Sequence, residues 1–316
     1  MPGLRARRAR QRGVSLRGLR HLHLSDLLVP RRGAMQRLRG QDAGGELSQA
    51  GNAVVGVAAV TPLLAAPTVR AEQVSQLVLG ETAELLAADG EWRRLRGTHD
   101  GYEGWAHRGY LRPIDAAALE RWRGAGWSHG AELDAGGARV PLPLRARVGL
   151  ANGTADGTAD GGFMLPDGRI GRLVSGRIAA RTAAIAEARA APPDEWAAHY
   201  FMGTPYQWGG VTPWGADCSG LVQTTFAARG IAVPRDAHDQ AQHATAVPLD
   251  QARPGDLLFF QSETTDRITH VAFLSSGSLL VHSTISGGGV VREDWRPGSD
   301  AWTRLRSRLA TVRRYE

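Results

Sequence analysis

The sequence predicts an α+β protein in which small β-rich modules precede a domain that runs helices first and an antiparallel sheet second. Three observations carry this. A length of 316 residues is enough for two or three domains. Gly 40 and Pro 16 favour a turn-rich chain with much β-structure, while 42% hydrophobic and 22% charged residues are ordinary for a globular protein. Near residue 182 the pattern changes from short alternating strands to helical periodicity, and strands then return, which is the α+β order.

Charge is unevenly placed. All 38 basic residues are Arg, and the formal net charge is +7. Residues 1–40 hold 11 Arg and one acid, Asp26, whereas residues 41–316 hold 27 Arg and 30 acids. The pI near 10.5 is therefore a property of the front of the chain, and it argues for no nucleic-acid partner of the body. Residues 1–45 are expected to form a basic, disordered tail. It has no apolar core of the secretory type. Its Arg-rich composition is transit-peptide-like, the alternative being an over-extended reading frame that properly starts at Met35. The run "AVVGVAAVTPLLAAP" (53–67) is too short for a membrane span and is broken by Gly56 and Pro62. It reads as a strand and loop of the first module, and the chain as a soluble, cytoplasmic protein, with a periplasmic or secreted one as the alternative.

A first module is expected over 50–114. "SQLVLGETAELLAADGEWRRLRGTHDGYEGWAHRGYLRP" alternates apolar and polar residues between turn signals at Gly80, Asp89-Gly90 and Asp100-Gly101. So many short strands in about 60 residues suggest a small barrel. Residues 114–126 read as a helical linker. A second β-rich stretch spans 127–185, and "NGTADGTADGG" within it holds a tandem GTAD repeat. Its Asp and Gly content raises calcium, but no full calcium-loop pattern follows, so a hairpin loop is the better reading and no metal is expected.

The last domain is expected over 190–316. "RTAAIAEARAAPPDEWAAHYFMG" is helical and broken at Pro192-Pro193, with Asp194 as a candidate N-cap for the second helix. A helix from about 218 to 229 presents Leu221, Val222, Thr225 and Phe226 on one face and closes at Gly230. Strands follow at 255–261, 269–275, 278–284, 289–294 and 309–315.

Cys218 is the single cysteine. It can form neither an internal disulfide nor a multi-thiolate zinc site, which leaves a small buried hydrophobe or a nucleophile. Its place at the start of a helix favours the nucleophile, because unpaired N–H groups and the helix dipole stabilise a thiolate there. A base is then needed. Of ten histidines, His270 and His282 each lie within an apolar strand, on either side of "SSG" (275–277). Pairing Leu274 with Ser278 across that loop sets His270 opposite His282, with Cβ atoms about 4.5–5.5 Å apart. A nucleophile, a base and an orienter follow: Cys218, His270 and His282.

"GTPYQWGGVTPWGADCSGLVQTTF", "VPRDAHDQ", "RPGDLLFF", "ITHVAFL" and "LVHST" resemble the NlpC/P60 family of bacterial cell-wall cysteine peptidases. "AEQVSQLVLGE" and "DGYEGW" resemble the first SH3-like domain of its γ-D-glutamyl-diamino-acid endopeptidases. The resemblance implies a papain-like catalytic domain, a helix packed on an antiparallel sheet, behind two small SH3-like β-barrels. It implies Cys218 as nucleophile, His270 as base, His282 as third member and Tyr206 at the oxyanion site. It also implies substrate contacts from Trp208, Asp217, Ser219, Asp236 and Ala237, and from Glu72 and Tyr102 of the first module. Ala237 stands where that subgroup often has Ser. No cofactor is implied. The substrate would be a murein peptide with a free N-terminal L-Ala, whose ammonium Asp217 and Glu72 would pair. The alternative is a secreted hydrolase of intact wall, with the SH3-like modules binding the wall.

Overall fold

The computed structural model describes residues 52–150 and 162–316. The expected basic tail and the GTAD repeat lie outside the described residues. Among the described residues, no helix is long and apolar enough to cross a membrane.

Seven strands make the first module: β1 (Ala53–Gly56), β2 (Val60–Leu64), β3 (Gln73–Val78), β4 (Thr82–Asp89), β5 (Trp92–Gly97), β6 (Glu103–His107) and β7 (Leu111–Ile114). They pair antiparallel in the order β3-β2-β6-β5-β4-β1-β7. Alternation turns Val54, Leu63, Leu77, Ala83, Leu95 and Ala106 into one apolar cluster. Gly80 takes a left-handed φ of 78° in the turn after β3, and a Cβ there would run into the Arg147 carbonyl. Helix α1 (Ala116–Arg123) is capped by Asp115, which accepts from the Ala118 N–H at 2.7 Å. Its Ala118 and Trp122 pack on Val55 and Ile114, so the expected linker is part of this module.

The second module contains β8 (Gly126–Ala135), β9 (Ala138–Leu142), β10 (Arg147–Leu150), β11 (Phe163–Met164) and β12 (Ile170–Ala179). β8 pairs with both β12 and β10, and β11 joins those two, which closes a ring. Its apolar cluster takes in Val78 and Leu79 of the first module and Val211 of the third.

The third domain begins with α2 (Arg181–Ala190), which straddles the expected boundary, its Ala188 lying in the core of the last domain. Then come α3 (Pro193–Phe201), β13 (Val211–Thr212), β14 (Gly215–Ala216), α4 (Cys218–Ala228) and α5 (Ala237–His243). Strands β15 (Thr245–Val247), β16 (Leu257–Gln261), β17 (Ile268–Ser275), β18 (Leu279–Thr284) and β19 (Gly289–Asp294), helix α6 (Asp300–Leu305) and β20 (Leu309–Arg314) follow. The sheet order is β15-β20-β16-β17-β18-β19, all antiparallel. Leu221, Val222 and Phe226 of α4 pack with Val271, Phe273 and Val281 of the sheet.

Two local expectations are corrected. Asp194 does not cap α3, which starts at Pro193 with Pro192 before it. Instead the Asp194 carboxylate is buried and accepts from Ser275 Oγ at 2.6 Å. In the β17–β18 hairpin, Ser275 pairs with Leu279, Leu274 with Leu280 and Phe273 with Val281. The loop is therefore Ser276-Gly277-Ser278, with Gly277 and Ser278 at φ of 72° and 58°. A shift of two residues keeps every side chain on its expected face, but His270 and His282 become diagonal rather than directly opposed.

Candidate active site

The site forms where β17 and β18 part. Their ladder runs only from Ser275–Leu279 to Phe273–Val281, and the chain bearing Cys218 enters the opening beyond it. Ser283 Oγ of β18 donates to the Ala216 carbonyl at 2.6 Å. The Val271 N–H of β17, next to His270, points at the Cys218 sulfur, as does the Ser219 N–H. The nucleophile candidate and both histidines thus meet at one end of the sheet.

Asp217 fixes that entry. It is the N-cap of α4, its Oδ1 accepting from the Gly220 N–H at 2.7 Å. The same carboxylate accepts from Gly209 N–H at 2.8 Å and from Arg235 at 3.0 and 2.6 Å. Ser219 Oγ donates to it at 3.2 Å and accepts from Arg235 Nη1 at 2.8 Å. All three side chains are buried. This corrects the expectation that Asp217 pairs a substrate cation: its lone pairs are filled by a forked guanidinium and two backbone amides. Ser219 is held in the same knot. Gly220 is required for close approach, since a Cβ there would strike the Gly210 carbonyl oxygen.

Burial pushes the Cys218 thiol up to about 12, with the Asp217 charge adding to it, against the Val271 and Ser219 amides and Arg235. The helix N-terminus does not win here, so the resting group is a neutral thiol rather than the thiolate its position in sequence suggests. His270 is half-buried, and its pKa is pushed well below the usual imidazole value by dense packing, by His282 and by Arg308. It therefore rests as a neutral base.

His270 Nε2 lies 2.7 Å from His282 Nδ1. His282 is 1% exposed, and its Nε2 lies 2.8 Å from Glu293 Oε2. Arg304 Nη2 donates to both Glu293 oxygens at 2.8 Å. Glu293 was not anticipated. The available signal was alternation: Leu280 pairs with Glu293 and His282 with Val291, so an acid two residues along β19 shares the face of His282.

Tyr206 is half-buried beside β14 and bridges to Ala216. Burial and the nearby Cys218 raise its hydroxyl above the usual phenol range, so it stays a donor. The remaining residues gather on the rim. Tyr102 Oη donates to both Asp236 oxygens at 3.3 Å. Trp208 is 53% exposed, and its Nε1 donates to Glu72 Oε1 at 2.7 Å. Gln73 Nε2 donates to the Trp208 carbonyl at 2.9 Å. Asp236 precedes α5, whose first residue, Ala237, is buried. Burial raises the Asp236 pKa against the pull of Arg235.

A buried Cys at a helix N-terminus, in contact with the backbone of the strand that carries one of two hydrogen-bonded histidines, is the arrangement of a papain-like cysteine peptidase. Residues 203–305 match the model of the NlpC/P60 family and residues 63–109 that of the bacterial dipeptidyl-peptidase SH3 domain, so the chain carries an NlpC/P60 cysteine-peptidase domain behind an SH3 domain of that kind. The γ-D-glutamyl-L-lysine dipeptidyl-peptidase of Bacillus subtilis (strain 168) is 44% identical over 92 residues, 29% of this chain and 31% of that protein. The probable endopeptidase NlpC of Escherichia coli (strain K12) is 37% identical over 87 residues, 27% of this chain and 56% of its own. The chain thus spans about a third of the length of the first relative and just over half of the second. An NlpC/P60 family protein from Bacillus cereus ATCC 10987 has the same fold, with a TM-score of 0.67 at 19% identity over 83% of this chain and 99% of its own.

Proposed function

We propose that this chain is a cysteine endopeptidase that hydrolyses the γ-D-Glu–diamino acid bond of murein peptides with a free N-terminal L-Ala. One observation carries the reading. The SH3 domain is bolted to the rim of the Cys218 cleft through Glu72–Trp208 and Tyr102–Asp236, so it walls the cleft instead of standing apart. Asp217 is already neutralised by Arg235, which leaves Asp236 and Glu72 as the carboxylates for a substrate ammonium. A capped amine would bring no cation to those acids, and leaving them unpaired in a closed complex is costly. The name of the Bacillus subtilis relative supports a γ-D-glutamyl bond as the target.

The chemistry is acyl transfer. Cys218 Sγ attacks the γ-carbonyl carbon as His270 takes the thiol proton. The oxyanion meets the Cys218 N–H, which has no partner within its own helix, and the Tyr206 hydroxyl. The C–N bond breaks as His270 returns the proton to the leaving amine. Water then hydrolyses the thioester, with His270 again as base, and frees Cys218. We infer a cytoplasmic enzyme that frees small murein peptides for re-use.

The test is a product assay on free L-Ala-γ-D-Glu-diaminopimelate, its N-acetyl analogue and intact sacculi. Cleavage of the free tripeptide alone supports the reading. Preferred cleavage of sacculi returns the SH3 domain to wall binding and the enzyme to the periplasm or outside. Cys218→Ala is expected to remove all turnover with the fold intact. Iodoacetamide should label native Cys218 at a rate that climbs with pH from 6 to 9, since burial holds the thiol protonated. A flat rate below pH 7 would reveal a preformed thiolate.

A further inference from the structure

We propose that Glu293, held by Arg304, is a positioning residue that selects the tautomers of both histidines and so makes His270 Nδ1 the base. The inference rests on the assignment of Cys218 and His270 made above, and it adds two residues outside that set.

The logic runs inward from the surface. Arg304 is a permanent cation whose Nη2 spans both Glu293 oxygens, so Glu293 stays a carboxylate, able only to accept. The hydrogen bonds from His282 and from Arg304 hold it down to about 2, against the effect of burial. His282 Nε2, 2.8 Å away, must therefore carry a hydrogen. A second hydrogen on His282 would make it a cation at 1% exposure. The Glu293 charge is already offset by Arg304, so that cation would stand uncompensated, and burying it is costly. His282 is thus neutral, and its Nδ1 is a bare lone pair. At 2.7 Å, His270 Nε2 can only donate to it. That puts the single hydrogen of neutral His270 on Nε2 and leaves Nδ1 bare, the nitrogen available to take the Cys218 proton. When it does so, the imidazolium shares its charge along a line that ends on a carboxylate. With the opposite tautomers, His270 would present an N–H to the thiol and could not accept its proton.

Arg304 completes the device. Without it, Glu293 would favour a protonated His282, whose Nδ1–H would donate to His270 and move the hydrogen of that ring onto Nδ1. One guanidinium on α6 thereby decides which way the proton line points.

Two variants and one spectroscopic reading test this. In protein labelled with 15N-histidine, the ring nitrogens of His270 and His282 are assigned by loss of signals in His270→Gln and His282→Gln. The wild type at neutral pH should show the hydrogen on Nε2 of both rings. Glu293→Gln offers donor or acceptor and should give mixed tautomers with a kcat loss of about 10- to 100-fold and little change in KM, at or below the low end of the roughly 10²–10⁴-fold that a general base contributes. Glu293→Leu offers no acceptor and should lose more. Doubly protonated His282, or Nδ1–H on either ring in the wild type, overturns the inference even if both variants fail to fold. Unaltered tautomers and kcat in folded Glu293→Gln also overturn it. Wild-type tautomers as stated without cleavage of any γ-D-glutamyl peptide would instead sink the proposed substrate and leave this inference standing.

Discussion

The two β-rich modules contact the catalytic domain in contrasting ways, and the contrast separates recognition from support. The first touches it through directional polar pairs beside the cleft. Arg235 Nε donates to Ser75 Oγ at 3.2 Å, the Val211 N–H to Gln76 Oε1 at 3.1 Å and Gln223 Nε2 to Asp100 Oδ2 at 3.0 Å, besides the Glu72 and Tyr102 pairs. Val211 lies on the chain leading to Cys218, Gln223 lies on α4 itself, and Arg235 grips Asp217 beside the nucleophile. The second module supports the flank of α4. Arg145 Nη1 donates to Thr224 Oγ1 at 3.2 Å, and Trp127 and Leu144 face Trp196 and Ala228 around a small cavity. His129 Nδ1 meets Tyr200 Oη at 3.0 Å. None of these reaches the cleft. Similar β-structure thus serves as a wall in one place and as a buttress in the other.

The largest expected effect breaks the buttress. Glu81 of the first module is fully buried against Arg145, 3.0 Å away, and Arg147 of the second. Removing one partner from a buried pair costs about 3–5 kcal/mol, so Glu81→Ala should lower Tm by many degrees. Activity per folded molecule should persist, and loss of activity at full stability would erase the distinction. Burial opposes ionisation of Glu81, but Arg145, His99 and Arg147 overcome it and hold the group down to about 2. A depressed folded pKa stabilises above the ordinary carboxyl range and stops doing so as pH falls from about 4.5 towards 2. Acid unfolding in that window should weaken in the Glu81→Gln variant, measured by the change in Tm between pH 5 and pH 3.

The next effect probes the wall. Glu72→Gln should reduce kcat/KM on the free tripeptide about 10- to 150-fold, the worth of a charge-assisted hydrogen bond of roughly 1.5–3 kcal/mol. It should do little to any residual cleavage of the N-acetyl analogue. Equal losses on both substrates would make Glu72 a structural contact to Trp208 and nothing more.

The smallest sharpens the same boundary. Tyr102→Phe deletes one donor to Asp236, and because that contact is long for an O–H donor at 3.3 Å it is worth only about 0.5–1.5 kcal/mol, so a drop of roughly two- to twelvefold is expected in kcat/KM with Tm nearly unchanged. A larger fall in Tm than in kcat/KM would move Tyr102 to the supporting side of the comparison.

Much of the site was legible because its signals are local. The helix start at Cys218 and the two-residue alternation of β17 and β18 depend on neighbours in sequence, so the side chains keep their faces even though the hairpin register differs by two. What escaped depends on partners chosen across the fold. Asp217 looks like a free acid until Arg235, eighteen residues on, is found buried against it. Glu293 looks like a surface acid on a short strand until β19 is laid beside β18. The thiol's shift also escaped, because the helix dipole is visible in sequence and the packing that outweighs it is not. In the fold itself, the module strands were signalled by turn residues, while α1 passed as a connector because Trp122 reveals its packing only against Val55 and Ile114.

Val211, seven residues before the nucleophile, lies in the apolar cluster of the second module together with Val78 and Leu79 of the first. Three segments far apart in sequence therefore melt or survive together. Thermal unfolding should be one calorimetric transition rather than three, and a fragment cut at residue 190 would expose the Val211 side of that cluster to water. Evolution cannot shuffle this peptidase domain as a free cassette without first resurfacing it.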